Sequence, residues 1–206
     1  MKPNKGGKTR LIGLSGGAGS GKSEVITYLV ERWGAEPIIL DDVARGLQSP
    51  GGACYAGMCS LFPEAVLDDG SLDRRKIGEM VYINKDLLAA LNDLVHPAVR
   101  IETDRLIAEY RREEKPLVVL ECALLYESGY DCICDEVWYI YAGEETRIRR
   151  LKTTRLYSDD RIRGIFENQM AEEELSSRAD RIVNNDGLLE STRSELDKYC
   201  KEILKT

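Results

Sequence analysis

The chain has 206 residues and a formal net charge of −7, with 43% hydrophobic and 32% charged side chains. Such a length supports one substantial core with room for small inserted subdomains. No apolar run approaches the about 18 residues of a membrane-spanning helix, and the acidic balance argues against a nucleic-acid surface while leaving room for a small anionic ligand at a locally positive site.

The first ten residues, MKPNKGGKTR, are basic but lack the apolar stretch of a secretory signal, so residues 1–9 read as a loose tail and the expected location is cytoplasmic. Leu11–Ser15 reads as a short buried strand. It runs into Gly16-Gly17-Ala18-Gly19-Ser20-Gly21-Lys22-Ser23, which fits the phosphate-loop pattern GxxxxGK[ST] at every fixed position. In such a loop the backbone N–H groups of Gly17, Ala18, Gly19, Ser20 and Gly21 turn inward around phosphates because glycine brings no Cβ. The Lys22 ammonium reaches the β- and γ-phosphates, and the Ser23 hydroxyl ligates Mg²⁺. Glu24–Trp33 reads as a helix that points its N-terminal dipole at the same anion.

Further strands are expected at Pro37–Leu40, Leu117–Glu121, Glu136–Tyr141 and Arg181–Val183, alternating with helical segments. That alternation predicts an α/β fold with a parallel sheet of about five strands flanked by helices, and the continuous apolar run after Pro116 predicts a central strand. Residues 44–112 read as wholly helical, an insertion between two strands. Breaks are expected at Pro50-Gly51-Gly52, at Asp68-Asp69-Gly70-Ser71, where Ser71 is a candidate cap, and at His96-Pro97. Thr146–Glu174 is helical and arginine-rich, as a solvated basic face or as a lid over the phosphate loop. Leu188–Leu204 reads as an amphipathic closing helix.

Six cysteines stand at 54, 59, 122, 132, 134 and 200. The CxC spacing of Cys132 and Cys134 is poor for a metal and reads as free thiols. Asp41 and Asp42 directly follow the second strand, where ligands of open α/β sheets bind. Asp41 is a candidate base for a substrate hydroxyl or, alternatively, a helix cap. His96, the single histidine, is structural or an acceptor ligand. Glu121, ending the central strand, is a candidate outer-sphere Mg²⁺ ligand, and Glu127 a candidate capping or acceptor-site carboxylate.

These separated motifs together resemble the dephospho-CoA kinase family over most of the chain, from Leu11 to about Gly187. LSGGAGSGKS is similar to the family's LTGGIGSGKS, and Asp41-Asp42-Val43-Ala44-Arg45 to its D-x-[IV]-A-R. His96-Pro97 matches its HP, and Ala123–Glu127 resembles PLLFE. Arg150, Arg155 and Gln169 resemble its lid pattern, and Ala179–Gly187 its AD-x-[VI]-[IV]-x-N-x-G near the ATP base. Ile39 stands where the family has a further aspartate, Ala123 replaces a proline, and the second lid arginine is offset so that Thr154 falls at the gapless position.

The resemblance implies a three-layer P-loop NTPase fold. The nucleotide-binding core comprises 10–43, 113–145 and 177–206, the helical acceptor subdomain 44–112 and the helical lid 146–176. It further implies phosphorylation of the ribose 3′-hydroxyl of dephospho-CoA by ATP with Mg²⁺, giving CoA and ADP, with no nucleic-acid or membrane partner. By the same resemblance Asp41 is the base, Lys22 and Arg155 stabilise the transferring phosphoryl, Arg150 and Asn185 lie near the nucleotide, and Arg45 and His96 hold the acceptor. Three rivals stand beside this reading. One is another P-loop small-metabolite or nucleotide kinase. A second is a nucleotide-binding homologue without turnover, suggested by Ile39. The third is a GTP switch, disfavoured because Asn84-Lys85-Asp86-Leu87 and Val183-Asn184-Asn185-Asp186 both miss the NKxD base-recognition run.

Overall fold

The computed structural model of the protein describes residues 8–204, so the tail expected over 1–9 lies outside them except for Lys8 and Thr9. The chain divides into two compact units, one running to Ile38 and resuming at Tyr110, the other spanning Ile39–Glu109.

The first unit is built on a five-stranded parallel sheet of β1 (Arg10–Ser15), β2 (Glu36–Ile39), β3 (Leu117–Glu121), β4 (Glu136–Tyr141) and β5 (Arg181–Asn184), in the order β2-β3-β1-β4-β5. β1 therefore sits at the centre. Leu11, Leu14 and Leu117 to Leu120 are fully buried, as strands covered by helices on both faces require. Around the sheet lie α1 (Lys22–Trp33), α6 (Glu144–Arg155), α7 (Asp159–Glu167), α8 (Glu172–Arg178) and α9 (Leu189–Leu204). One carboxylate, Asp197 of α9, accepts from both Tyr28 Oη and Trp33 Nε1 of α1 at 2.9 Å.

Two aspartates fasten the strand starts by the same reciprocal device. Asp135 donates its N–H to the Leu11 carbonyl and accepts the Leu11 N–H on its carboxylate, both at 2.8 Å. Asp180 does the same to Val137 at 2.8 and 2.9 Å. Because Asp135 is buried, Asp135→Ala leaves the Leu11 N–H without its acceptor. The expected loss is about 1–3 kcal/mol of stability, read in a thermal melt as about 2–4 °C for each kcal/mol.

The second unit is helical: α2 (Leu40–Leu47), α3 (Tyr55–Leu61), α4 (Arg74–Ile83) and α5 (Lys85–Arg112), the last continuing into the first unit at Tyr110. Phe62, Ala65, Met58 and Cys54 form its buried centre, with Val95 and Val99 of α5.

Several local expectations are corrected. Helix α1 begins at Lys22 rather than Glu24, and β2 ends at Ile39, with Leu40 already helical. Asp41 is not a cap. The N-cap position of α2 is Ile39, and both aspartates sit in the first turn, where their charge favours the helix dipole. Ser71 is not the cap of α4, because its hydroxyl and N–H both donate to Asp69 in an Asx turn at 2.6 and 2.9 Å. Asp73 caps instead, accepting from the Arg75 and Lys76 N–H groups at 3.0 Å. The break expected at His96-Pro97 is absent: α5 runs through Pro97 for 28 residues. A proline inside a helix removes a single backbone donor, and Val95, Val99, Thr103 and Ile107 form a buried stripe that holds the helix across the gap. The segment expected as one helical stretch over 146–174 is three helices, α6 to α8, broken at 156–158 and 168–171. Among the described residues, no helix is long and apolar enough to cross a membrane.

Candidate active site

The phosphate loop leaves the C-terminal end of central β1 and enters α1 at Gly21. Gly21 is the N-cap position of α1, with φ 95° and ψ 24°, a left-handed conformation that favours glycine. There is no space for a side chain either, because the Asn185 amide nitrogen fills the place of a Cβ. The first N–H groups of α1 have no partner within the helix and point out of its N-terminus. Lys22 Nζ donates to the Gly16 carbonyl at 2.7 Å and lies 3.8 Å from Glu121 at the end of β3. An ammonium and a carboxylate thus meet beside the glycine-rich loop and the N-terminus of α1, the charge pattern a nucleotide polyphosphate with a divalent cation requires.

The loop is braced from behind by two residues that the sequence placed near the nucleotide. Arg150 of α6 donates to the Ser20 carbonyl at 3.0 Å and to the Asn185 carbonyl at 2.8 Å. Asn185 is buried, and all its polar groups are engaged. Its side-chain N–H donates to the Ser20 carbonyl at 2.8 Å, its side-chain oxygen accepts from Thr192 at 3.1 Å, its N–H donates to the Tyr141 carbonyl at 2.8 Å, and its carbonyl accepts from Arg150. These contacts fix the loop backbone around Ser20.

Sequence reasoning gave no individual role to Arg147, whose guanidinium nitrogen occupies the place where a Gly17 Cβ would project. The available signal was periodicity: Arg147 lies one helical turn before the buried Leu151, on the inward face of α6. Gln169 also reaches the loop, its side-chain oxygen accepting from the Ala18 N–H at 3.2 Å. Arg155 is the last residue of α6, exposed, and makes no hydrogen bond or ion pair among the described residues.

In the helical unit the two adjacent carboxylates of α2 differ. Asp42 accepts from Arg45 Nη1 at 3.1 Å, whereas Asp41 is exposed and makes no hydrogen bond or ion pair among the described residues. The Arg45 carbonyl accepts from Ser49 Oγ at 2.6 Å and from Arg74 Nη2 at 3.2 Å, so the backbone behind this pair is fixed. His96 is exposed on α5. Glu127 is exposed beside the buried Tyr126.

The six cysteines are free thiols. Burial first, then nearby carboxylates led by Asp135, push the Cys134 thiol up to about 12, which disfavours the thiolate a metal needs. No group of three or more His, Cys, Asp or Glu fit to hold a metal occurs among the described residues.

A parallel sheet of this order, with a complete phosphate loop after its central strand and arginine-bearing helices beyond β4, defines the P-loop NTPase fold. The same fold is seen in the shikimate kinase of Acinetobacter baumannii, with a TM-score of 0.52 at 16% identity over 96% of this chain and 94% of that one. The family model described as dephospho-CoA kinase matches residues 10–191, and the chain belongs to that family, the phosphotransferases of the final step of coenzyme A biosynthesis. Among curated relatives, the dephospho-CoA kinase of Symbiobacterium thermophilum is 41% identical over 91% of this chain and 79% of its own length. A crystal structure of TT1252 from Thermus thermophilus superposes with a TM-score of 0.80 at 34% identity, covering 94% of this chain and 97% of that one.

Proposed function

We propose that the protein transfers the γ-phosphoryl of ATP to the ribose 3′-hydroxyl of dephospho-CoA in the cytoplasm, with Asp41 as the base and Lys22 as the principal cation. The supporting observation is the difference between the two α2 carboxylates: Asp42 is held by Arg45, which leaves Asp41 able to accept a substrate proton. Asp41 orients the 3′-hydroxyl and takes its proton as the oxygen attacks phosphorus. Lys22 and the loop amides of Gly17 to Gly21 neutralise charge on the phosphates, and Arg155 brings a second cation from the lid. Arg45 and His96 bind the acceptor. The exposed Arg45–Asp42 pair contributes little in water, so an anionic acceptor group can compete for the guanidinium.

The donor set suits a hard cation, since Ser23 offers an exposed hydroxyl and Glu121 a carboxylate at the neighbouring strand end. Ser23 would hold Mg²⁺, with Glu121 as its outer-sphere partner, and the ion would supply charge neutralisation on the phosphates. Arg150 and Asn185 serve the nucleotide by holding the loop. Closure of α6 to α8 excludes water and so limits wasteful hydrolysis of ATP.

The test is a coupled ADP-release assay with Mg-ATP, comparing dephospho-CoA with nucleosides, nucleoside monophosphates and no acceptor. Release that depends on dephospho-CoA, with a product of CoA mass, is the expected result. Release with another acceptor overturns the substrate, and tight ATP binding without turnover on any acceptor overturns the catalytic assignment.

A further inference from the structure

The lid arginine with the most specific placement is Arg147. Its guanidinium lies over Gly17, where only a residue without a side chain lets it approach. The Phe166 ring of α7 backs it at 4.5 Å. Its Nε is buried without a hydrogen-bond partner, a position that costs free energy unless something is bound there at work. Glu144, Glu172 and Glu173 line the same cavity of about 360 Å³ beside Gly17, yet none forms an ion pair with Arg147. The stack on Phe166 therefore directs the charge to the loop rather than to these carboxylates.

The position along the loop identifies which phosphate is met. Lys22 Nζ lies on the Gly16 carbonyl, and this lysine serves the β- and γ-phosphates. Gly17 is the next residue, so Arg147 covers the terminal-phosphate end, whereas Arg150 and Asn185 hold the opposite end at Ser20. The neighbouring donor, the Ala18 N–H, is taken by the Gln169 oxygen at 3.2 Å.

We propose that Arg147 contacts the terminal phosphate of the nucleotide, and that the Gln169 side-chain oxygen holds the place of one phosphate oxygen on the Ala18 amide until the nucleotide displaces it. The proposal rests on the loop being the nucleotide site, and it adds a specificity device: a cation that distinguishes triphosphate from diphosphate and helps ADP to leave.

Calorimetric titration of the full-length protein with Mg-ATP and Mg-ADP tests it, using wild type, Arg147→Met, Gln169→Ala and Lys22→Ala. Loss of a charge-assisted contact to one phosphate is expected to weaken ATP about 10–100-fold and ADP by less than about threefold. Gln169→Ala removes the competitor and is expected to tighten ATP by up to about fivefold. Equal weakening of ATP and ADP by Arg147→Met, or no weakening, overturns the proposal, because a residue that only packs α6 against α7 does not discriminate between them. Lys22→Ala separates the two readings. If it abolishes ATP binding while Arg147→Met changes nothing, only the Arg147 assignment fails; if it too leaves ATP affinity intact, the nucleotide reading of the loop fails. Should Arg147→Met fold poorly, Arg147→Lys carries the test: it keeps the charge and loses the planar fork, and an unchanged ATP-to-ADP affinity ratio overturns the proposal.

Discussion

Asp41→Asn is expected to bind ATP as the wild type does and to lower the turnover of dephospho-CoA by about 10²–10⁴-fold, the range for a lost general base. The substitution keeps shape and removes only the capacity to take a proton. Asp41 is exposed and without a partner among the described residues, so no folded-state contact is lost and the melt should stay within about 0.5 kcal/mol. Its neighbour provides the control. Asp42→Asn loosens the 3.1 Å contact to Arg45 and is expected to change the acceptor KM rather than kcat. Single-turnover phosphoryl transfer, measured beside ATP affinity, checks both variants, and an unchanged rate constant for Asp41→Asn removes that residue from the role.

The second large effect is at Lys22. In the role proposed for Lys22, Lys22→Ala withdraws an ammonium from the β- and γ-phosphates, and a fall in kcat of about 10²–10³-fold is expected, as for other single donors to a developing anion. Lys22 also donates to the Gly16 carbonyl at 2.7 Å, so loss of the side chain relaxes the start of the loop and weakens ATP as well. Initial-rate kinetics over an ATP series separates the two effects. A variant with wild-type affinity and rate would remove the loop from catalysis.

What the sequence revealed and what it concealed divide along the range of the interactions. The phosphate loop was legible at every fixed position because its chemistry is local: glycines for close approach, a lysine, a serine, a strand before and a helix after. The strands were legible for a similar reason, since a buried run such as Leu117 to Leu120 states its environment in its own composition. Sheet order was not, because the central place of β1 depends on β3 and β4, which arrive more than a hundred residues later. The reciprocal bonds of Asp135 and Asp180 were invisible for that reason: each looks like an ordinary loop aspartate until its strand partner is known. Ser71 failed as the expected cap because Asp69 takes its hydroxyl, and the cap fell to Asp73, which the sequence had not marked. Pro97 misled because its local rule is sound, while the stripe of Val95, Val99, Thr103 and Ile107 outweighs one lost donor.

The bracing of the phosphate loop by Asn185 and Arg150 also bears on the order in which the protein acquires its competence. The Ser20 carbonyl meets the Asn185 side chain across 165 positions of sequence. At roughly 5–20 residues per second of synthesis, the loop leaves the ribosome about 8–33 s before the residue that steadies it. A nascent chain arrested just short of position 185 therefore carries the whole phosphate-binding motif and Arg150, but not the Asn185 side chain that also holds the Ser20 carbonyl. Complete bracing of the Ser20 carbonyl is thus a late event in synthesis, reached only once Asn185 and the strand before it have been made.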